Sequence, residues 1–278
     1  MEQNKPGFFA RKYDAAEESL LTIFKSPKIW GALLGEVIGT MLFTVLLMCT
    51  IGVFRVDWVP ILLMSGVLVT YLITVKLSGA QLNPLITVGM MASRRMSAIR
   101  GVLYILAQFV GAWIGFLILN TFRLGGGLDG AFPELVATTG ENFWTLALIA
   151  LLCSVILAFC FARSLRYAKK SPVTFAFTLA SSLIFVYLLS IIITQNFFAI
   201  SDGIIFNPAS ALMYGIFPTT AENFGELASG AGLALAVYVF IPMLGGIIGF
   251  YLSDIATRLA GSGYNHEGSC RKIEEHKA

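Results

Sequence analysis

Two asparagine-proline pairs, each following a long apolar run, constrain this chain more than any other feature. Asn83-Pro84 lies in the first half of the chain, and Asn207-Pro208 lies in the second half. Asparagine is favoured directly before a helix because its side-chain oxygen accepts backbone N–H groups. Proline fits the first helical position because its missing N–H leaves no donor unpaired. Each pair therefore predicts the start of a helix.

The helices that these pairs begin are too short to cross a lipid bilayer. The first covers residues 84–92, and at ~1.5 Å per residue it rises ~14 Å, about half of a ~30 Å hydrocarbon core. The second covers residues 208–216, because Pro218 ends it. The sequence therefore predicts two half-helices, one in each half of the chain.

The composition places these half-helices in a membrane protein. The chain is 57% hydrophobic and 13% charged, whereas soluble domains carry about 25% charged residues. We therefore expect an all-α polytopic protein with membrane lipid as its surroundings, and no nucleic acid as a partner. Six apolar runs predict membrane spans over residues 30–54, 58–77, 97–122, 142–162, 172–194 and 227–255.

The basic residues predict the orientation of the spans. Of the 19 lysines and arginines, all except Arg55 and Arg123 fall in segments that six spans would place on one side. Because basic residues concentrate on the cytosolic side, this asymmetry predicts that both termini are cytosolic. The first half-helix then enters from the cytosol and the second from the outer side, which is an inverted repeat. The sequence does not distinguish the plasma membrane from an intracellular membrane.

The predicted organisation has five parts. They are a cytosolic N-terminal segment (1–29), a first half (30–122), an outer connecting loop (123–141), a second half (142–258) and a cytosolic tail (259–278). Two spacings that recur in both halves support the repeat. In the glycine pairs, small residues four apart also allow close helix packing in lipid. The matched pairs are Gly111-xxx-Gly115 with Gly245-xxx-Gly249, and Glu36-xxx-Thr40 with Glu141-xxx-Thr145.

No group of residues in the sequence predicts catalysis, a cofactor or a metal site. Both histidines, His266 and His276, lie in the C-terminal tail, and the four cysteines have no metal-ligand spacing. The sequence also shows no pairing of a nucleophile with a base. We therefore expect a protein that is not an enzyme.

These features together resemble the aquaporin, or major intrinsic protein, family. The resemblance depends on the six spans, the paired Asn-Pro half-helices, the Glu-xxx-Thr spacings and the run Ala-Gln-Phe-Val-Gly-Ala at residues 107–112. It implies a passive channel and a homotetramer with one pore in each subunit. Three departures resemble the unorthodox or superaquaporin branch, including the small basic intrinsic proteins of plants. Leu85 replaces the usual alanine, Ser210 replaces the usual arginine, and Ile205-Phe206 replaces small residues.

The resemblance implies that the two half-helices meet near the middle of the membrane and line a pore. Their N-termini would direct two positive dipole ends at one point and repel cations. The side-chain N–H groups of Asn83 and Asn207, and the carbonyls before them, would then bind passing water. Leu85 would either narrow the pore or pack sideways against the spans. The pore motif consists of Asn83, Pro84, Leu85, Asn207, Pro208 and Ala209.

The resemblance also implies a narrow filter built by four positions. Ser210 and Ile204 occupy two of them, and counting back from Asn83 gives Leu63, with Met64 and Ser65 as alternatives. The fourth position is Leu183 when it is counted from Pro172, or Gln195 when it is counted back from Gly203. Without an arginine, this filter would be apolar and less positive than usual.

Two acidic residues are candidates for supporting the half-helices. Glu36 and Glu141 would each accept N–H groups from the irregular backbone that leads to a half-helix, and the alternative role is a proton relay.

Four functions follow from the sequence. The first is a passive channel for water or small neutral solutes. The others are a pore selective for glycerol, hydrogen peroxide, ammonia or urea with low water permeability, a closed structural membrane protein, and a secondary transporter.

Overall fold

The chain folds into helices of two lengths. The structure, a computed structural model, describes residues 23–52, 59–125, 139–198, 204–215 and 232–260, and helices are the regular elements within these ranges. They are α1 (Pro27–Gly52), α2 (Val59–Thr74), α3 (Pro84–Ala92), α4 (Ala98–Gly125), α5 (Phe143–Ser164), α6 (Pro172–Phe198), α7 (Pro208–Gly215) and α8 (Ile241–Leu259), and a π-helical turn (Ala236–Phe240) precedes α8.

The long helices have the length and apolarity that a membrane span requires. Within the part of the chain that the structure describes, five segments qualify: Pro27–Leu47, Ala98–Phe122, Phe143–Ser164, Pro172–Asn196 and Gly232–Leu259. The helix α2 is shorter and is apolar over Ile61–Thr74. Large apolar side chains cover the outer surfaces of these helices, which suits contact with lipid tails; examples are Leu34, Ile61, Val69, Leu148 and Phe177. The all-α membrane fold is confirmed.

The two halves of the chain pack in equivalent ways. The helix α1 packs along α4, and α5 packs along α8. Each half-helix lies against the last span of the other half, because α3 contacts α8 and α7 contacts α4. The predicted glycines mediate these contacts. Gly111 faces the backbone of Val37 and Met41, and Gly245 faces the backbone of Leu151 and Val155.

The first half-helix begins and ends at the predicted residues, but α2 ends earlier than expected. The predicted span reaches residue 77, whereas α2 ends at Thr74. Turn hydrogen bonds follow, with the Ser78 amide donating to the Thr74 carbonyl over 3.0 Å. Gly79 then takes a positive φ of 87°, which reverses the chain toward α3.

A proline explains the π-helical turn before α8. Pro242 lacks the N–H that would donate to the carbonyl four residues earlier, so the regular hydrogen-bond ladder is interrupted there. The turn contacts α7, so it lies beside the second half-helix.

Several predictions fall on residues that the structure does not describe. They concern most of the N-terminal segment (1–22), most of the connecting loop (126–138), the ends of the second half-helix and of the last span (216–231), and the tail (261–278).

Candidate functional site

The two Asn-Pro pairs form helix caps with the same geometry. The Asn83 side-chain oxygen accepts the Leu85 amide over 3.0 Å, and Pro84 occupies the first turn of α3. The Asn207 side-chain oxygen accepts the Ala209 amide over 3.1 Å. Each asparagine therefore fixes the first turn of its half-helix through its own carboxamide oxygen.

The same two side chains join the half-helices to each other. The Asn83 amide Nδ2 donates to the Phe206 carbonyl over 3.1 Å, and the Asn207 Nδ2 donates to the Leu82 carbonyl over 2.8 Å. Both asparagines are almost completely buried. The N-termini of α3 and α7 therefore meet, and each is held by a side chain from the other half of the chain.

These reciprocal bonds alter one expectation from the sequence. The carbonyls directly before each asparagine, at Leu82 and Phe206, accept from the opposite asparagine and not only from a solute. A carboxamide nitrogen carries two N–H groups. The second N–H of each amide donates to no other residue in the described part of the chain. One donor per asparagine thus remains for a molecule at the junction.

Glu36 supports the backbone that leads to α3. Its carboxylate accepts the Gln81 amide over 3.1 Å, the Leu82 amide over 2.7 Å and the Gln108 Nε2 over 2.7 Å. The backbone here is strained, because Ala80 and Leu82 have φ values of 52° and 53°, which side chains other than glycine rarely adopt. These three hydrogen bonds to Glu36 are the contacts that the predicted structural support requires.

Glu141 does not take the equivalent position in the second half. It is exposed and lies before α5, which begins at Phe143. Since Val37 and Leu151 both face the first glycine of their GxxxG pair, the residue that corresponds to Glu36 is Ala150. The alanine side chain offers no acceptor there. Support of the second half-helix by Glu141 stays a prediction, because residues 199–203, which lead to α7, lie outside the described part of the chain. The Glu-xxx-Thr spacing recurs in the sequence, but Glu36 lies inside α1 and Glu141 lies before the start of α5.

A small cavity lies beside Asn207. Its volume is about 20 Å³, and a cavity needs roughly 10–15 Å³ to hold one water molecule. None of the described residues that line it carries a charge. They come from α1, α2, α6 and the segment before α7, and they are Phe43, Leu47, Leu63, Leu183, Tyr187, Ile204, Ile205, Phe206 and Asn207.

The cavity brings together three of the five residues that the sequence assigns to the filter. Leu63, Leu183 and Ile204 all line it, although they belong to three different segments. Of the two alternatives to Leu63, Met64 is partly buried, and Ser65 is exposed and donates to the Leu62 carbonyl.

The other two filter candidates lie elsewhere. Gln195 is exposed near the end of α6. Ser210 is fully buried, and its hydroxyl lies 2.9 Å from the hydroxyl of Thr44 on α1. Neither residue is among those that line the cavity.

Sequence reasoning did not assign several residues of the cavity wall. Phe43 and Leu47 lie seven and eleven residues after Glu36, a helical spacing that places all three on one face of α1. This periodicity was the available signal for them. Ile205 and Phe206 were recognised only as departures from small residues, and Tyr187 had no local signal.

Leu85 packs into the protein core. Its side chain is fully buried within the main apolar cluster and is not among the residues that line the cavity. Its carbonyl lies against Gly246 of α8. Of the two alternatives for Leu85, the described geometry therefore corresponds to sideways packing.

An ion pair holds the other end of the first half-helix. Arg95 lies 2.5 Å from Asp254 of α8, and its guanidinium also lies over the ring of Phe250, 5.1 Å from the ring centre. Burial lowers the pKa of Arg95, and the Asp254 carboxylate acts in the opposite direction. The half-helix is thus fixed to its neighbours at both ends.

Known proteins are similar in sequence to this chain. Residues 23–254 match the family described as "Major intrinsic protein". The glycerol uptake facilitator protein-like 6 of Lactiplantibacillus plantarum is 26% identical over 231 residues, covering 80% of this chain and 96% of that protein. Aquaporin-4 of Mus musculus is 28% identical over 256 residues, covering 83% of this chain and 74% of that protein.

A solved structure shows the same fold. The X-ray structure of the aquaglyceroporin from Plasmodium falciparum superimposes with a TM-score of 0.55 at 17% identity, covering 81% of this chain and 93% of that one. At this identity the likeness concerns the fold alone. The family match, by contrast, extends over most of the chain and includes both half-helices. The chain belongs to the major intrinsic protein family.

Proposed function

We propose that this protein is a passive transmembrane channel for water or small neutral solutes. One observation carries the proposal: two half-helices meet at cross-bonded asparagines beside a cavity whose described walls carry no charge. The family match and the relatives named as aquaporins and glycerol facilitators support the same function.

The geometry favours neutral solutes over ions. An ion that entered the apolar cavity would lose its hydration without meeting a charged partner, which costs far more than the transfer of a neutral molecule. The N-termini of α3 and α7 add two partial positive charges at the junction and oppose cations further. A neutral solute pays a smaller cost, because the remaining N–H of Asn207 can donate to it.

Stopped-flow light scattering on proteoliposomes tests the proposal. With sucrose as the osmolyte, we expect vesicles that contain the protein to shrink faster than empty vesicles. Vesicles are then challenged with glycerol and with urea, which separates a water channel from a solute-selective pore. No permeability above that of empty vesicles to water or to any small neutral solute would refute the channel. Such an absence of permeability would favour a closed structural protein, whereas saturable uptake that depends on an ion gradient would favour a transporter.

A pair of adjacent leucines on α2 provides the matched control. Leu63 lines the cavity, whereas Leu62 is 44% exposed on the outer surface. Leu63→Trp should block permeation because the indole fills the cavity, and Leu62→Trp should leave permeation unchanged. Equal permeation by both variants would mean that the solute does not pass through this cavity.

The orientation and the assembly are parts of the same proposal. The distribution of basic residues supports cytosolic termini. In sealed cells, a membrane-impermeant maleimide should label Cys270 of the tail only after permeabilisation, with Cys270→Ser as the control. Labelling of Cys270 in intact cells would mean that the termini lie on the outer side. The family supports a homotetramer, and light scattering of the purified protein in detergent would contradict it by giving the mass of one subunit.

A further inference from the structure

The segment directly before Asn207 contributes a large part of the cavity wall. Ile204, Ile205 and Phe206 are consecutive, and all three line the cavity. All three are also buried, with at most 4% of each residue exposed. Ile205 and Phe206 are therefore large, buried residues at the cavity wall.

Phe206 is held in place from two directions. Its carbonyl accepts the Asn83 amide over 3.1 Å, and the next residue, Asn207, donates to the Leu82 carbonyl over 2.8 Å. Its backbone is therefore tied to the first half of the chain on both sides of the peptide unit. These bonds fix the backbone position of Phe206, and burial restricts the movement of its side chain.

Ser210 makes no comparable contribution to the wall. Its hydroxyl pairs with Thr44, which also packs against Gly115 of α4, so this side chain is directed into the contact between α7, α1 and α4. Ser210, at the position that would carry an arginine in a usual filter, therefore takes part in helix packing.

We propose that Phe206, assisted by Ile205, sets the size limit of the channel and restricts it to neutral solutes of about the size of one water molecule. This inference rests on the proposed channel function and assigns its specificity. The cavity of about 20 Å³ accommodates one water-sized molecule. Water and ammonia fit this limit, whereas a three-carbon polyol such as glycerol does not.

The test compares glycerol and water permeability in proteoliposomes that contain the wild type or Phe206→Ala. The substitution removes the phenyl ring and retains the carbonyl that accepts from Asn83. The wild type should conduct water and exclude glycerol. In the variant, the ratio of glycerol to water permeability should rise by about tenfold or more, because a steric barrier in the narrow segment is removed.

Two further variants keep the test decisive if Phe206→Ala does not fold. Phe206→Leu and Ile205→Ala remove less volume from the same wall, and each should raise the same ratio by a smaller factor. Correct folding is checked by gel filtration and circular dichroism before reconstitution.

Two controls separate a widened filter from general loosening. Phe250→Ala removes a ring that is also fully buried but lies against Arg95 and Phe161, away from the cavity. Ser210→Ala removes the hydroxyl at the usual arginine position. Neither variant should change the glycerol-to-water ratio.

The outcomes distinguish this inference from the channel function on which it rests. If the wild type conducts water and the Phe206 and Ile205 variants keep its ratio, the size limit lies elsewhere and the inference is refuted. Free passage of glycerol through the wild type also refutes it, as does an equal rise in Phe250→Ala. If the wild type and all variants conduct nothing, the channel function itself has failed.

Discussion

Replacing Glu36 tests how the strained segment before the first half-helix is held. The carboxylate is completely buried and accepts three N–H groups, two from the backbone of Gln81 and Leu82 and one from Gln108. In Glu36→Ala, both backbone donors lose their acceptor. Gln108 keeps a partner, because its Nε2 also donates to the Thr87 hydroxyl over 2.9 Å.

The expected loss of stability follows from these contacts. A buried donor left without a partner costs about 1–3 kcal/mol, so two such donors cost about 2–6 kcal/mol. The strained φ values at Ala80 and Leu82 increase the effect, because strained backbone persists only where its surroundings hold it. Since whole domains are stable by about 5–15 kcal/mol, this variant should lose a large part of its stability.

Glu36→Gln gives an intermediate case. The glutamine carbonyl can replace the carboxylate oxygen that accepts from Leu82 and Gln108, but its NH₂ group then faces the Gln81 amide. The expected loss is about 1–3 kcal/mol, corresponding to one unpaired donor. The order of unfolding temperatures should therefore be wild type, Glu36→Gln and then Glu36→Ala.

Thermal unfolding in detergent measures this order. In a background in which Cys49, Cys160 and Cys270 are replaced by serine, a thiol-reactive dye reports the exposure of Cys153, which is fully buried in the folded protein. Thr40→Val is the matched control, because it lies one turn from Glu36 and its buried hydroxyl has no partner among the described residues. It should unfold within a few degrees of the wild type.

Two results would refute the reasoning. If Glu36→Ala unfolds at the wild-type temperature, the carboxylate does not hold this segment. If Glu36→Gln keeps its unfolding temperature but loses all permeation, the charge itself is needed, which favours a proton relay over structural support.

Two further predictions concern the contact between the first half-helix and α8, and both are read from the unfolding temperature. Gly246→Ala would place a methyl group against the Leu85 carbonyl, so it should destabilise the protein by about 1–3 kcal/mol. The control is Gly31→Ala, whose methyl group would meet no described atom within 4 Å and should have little effect; an equal change in unfolding temperature for both variants would contradict the close contact. Asp254→Asn leaves the guanidinium of Arg95 without its anionic partner and should also cost about 1–3 kcal/mol; an unchanged unfolding temperature would show that the ion pair contributes nothing to stability.

The Asn-Pro pairs show where sequence reasoning succeeds. A helix cap and a proline at the first helical position act within a few residues, so the start of each half-helix is encoded locally. The start of the first half-helix at Pro84 and of the second at Pro208 was predicted in this way. The apolar runs identified the spans for a similar reason, because lipid imposes the same requirement on every span independently.

Glu141 and Ser210 show what a local pattern of residues does not specify. The spacing Glu-xxx-Thr is local, but the height of a side chain within the bundle depends on how helices slide against each other through Gly111 and Gly245. The partner of Ser210 is Thr44, 166 residues away, and no local pattern indicates that contact. The choice between Leu183 and Gln195 also needed three dimensions, because counting along the chain gave two answers.

The sequence by itself determined the membrane fold, the two half-helices and their capping residues. Helix starts depend on groups within one turn, and membrane insertion depends on the apolarity of each run. Only the tertiary structure decided which side chains meet at the junction. It placed the amide of each asparagine on a carbonyl of the other half and surrounded the cavity with Phe43, Leu63 and Phe206. These contacts join segments far apart in the chain, and their positions are set by the packing of whole helices, which no short stretch of sequence specifies.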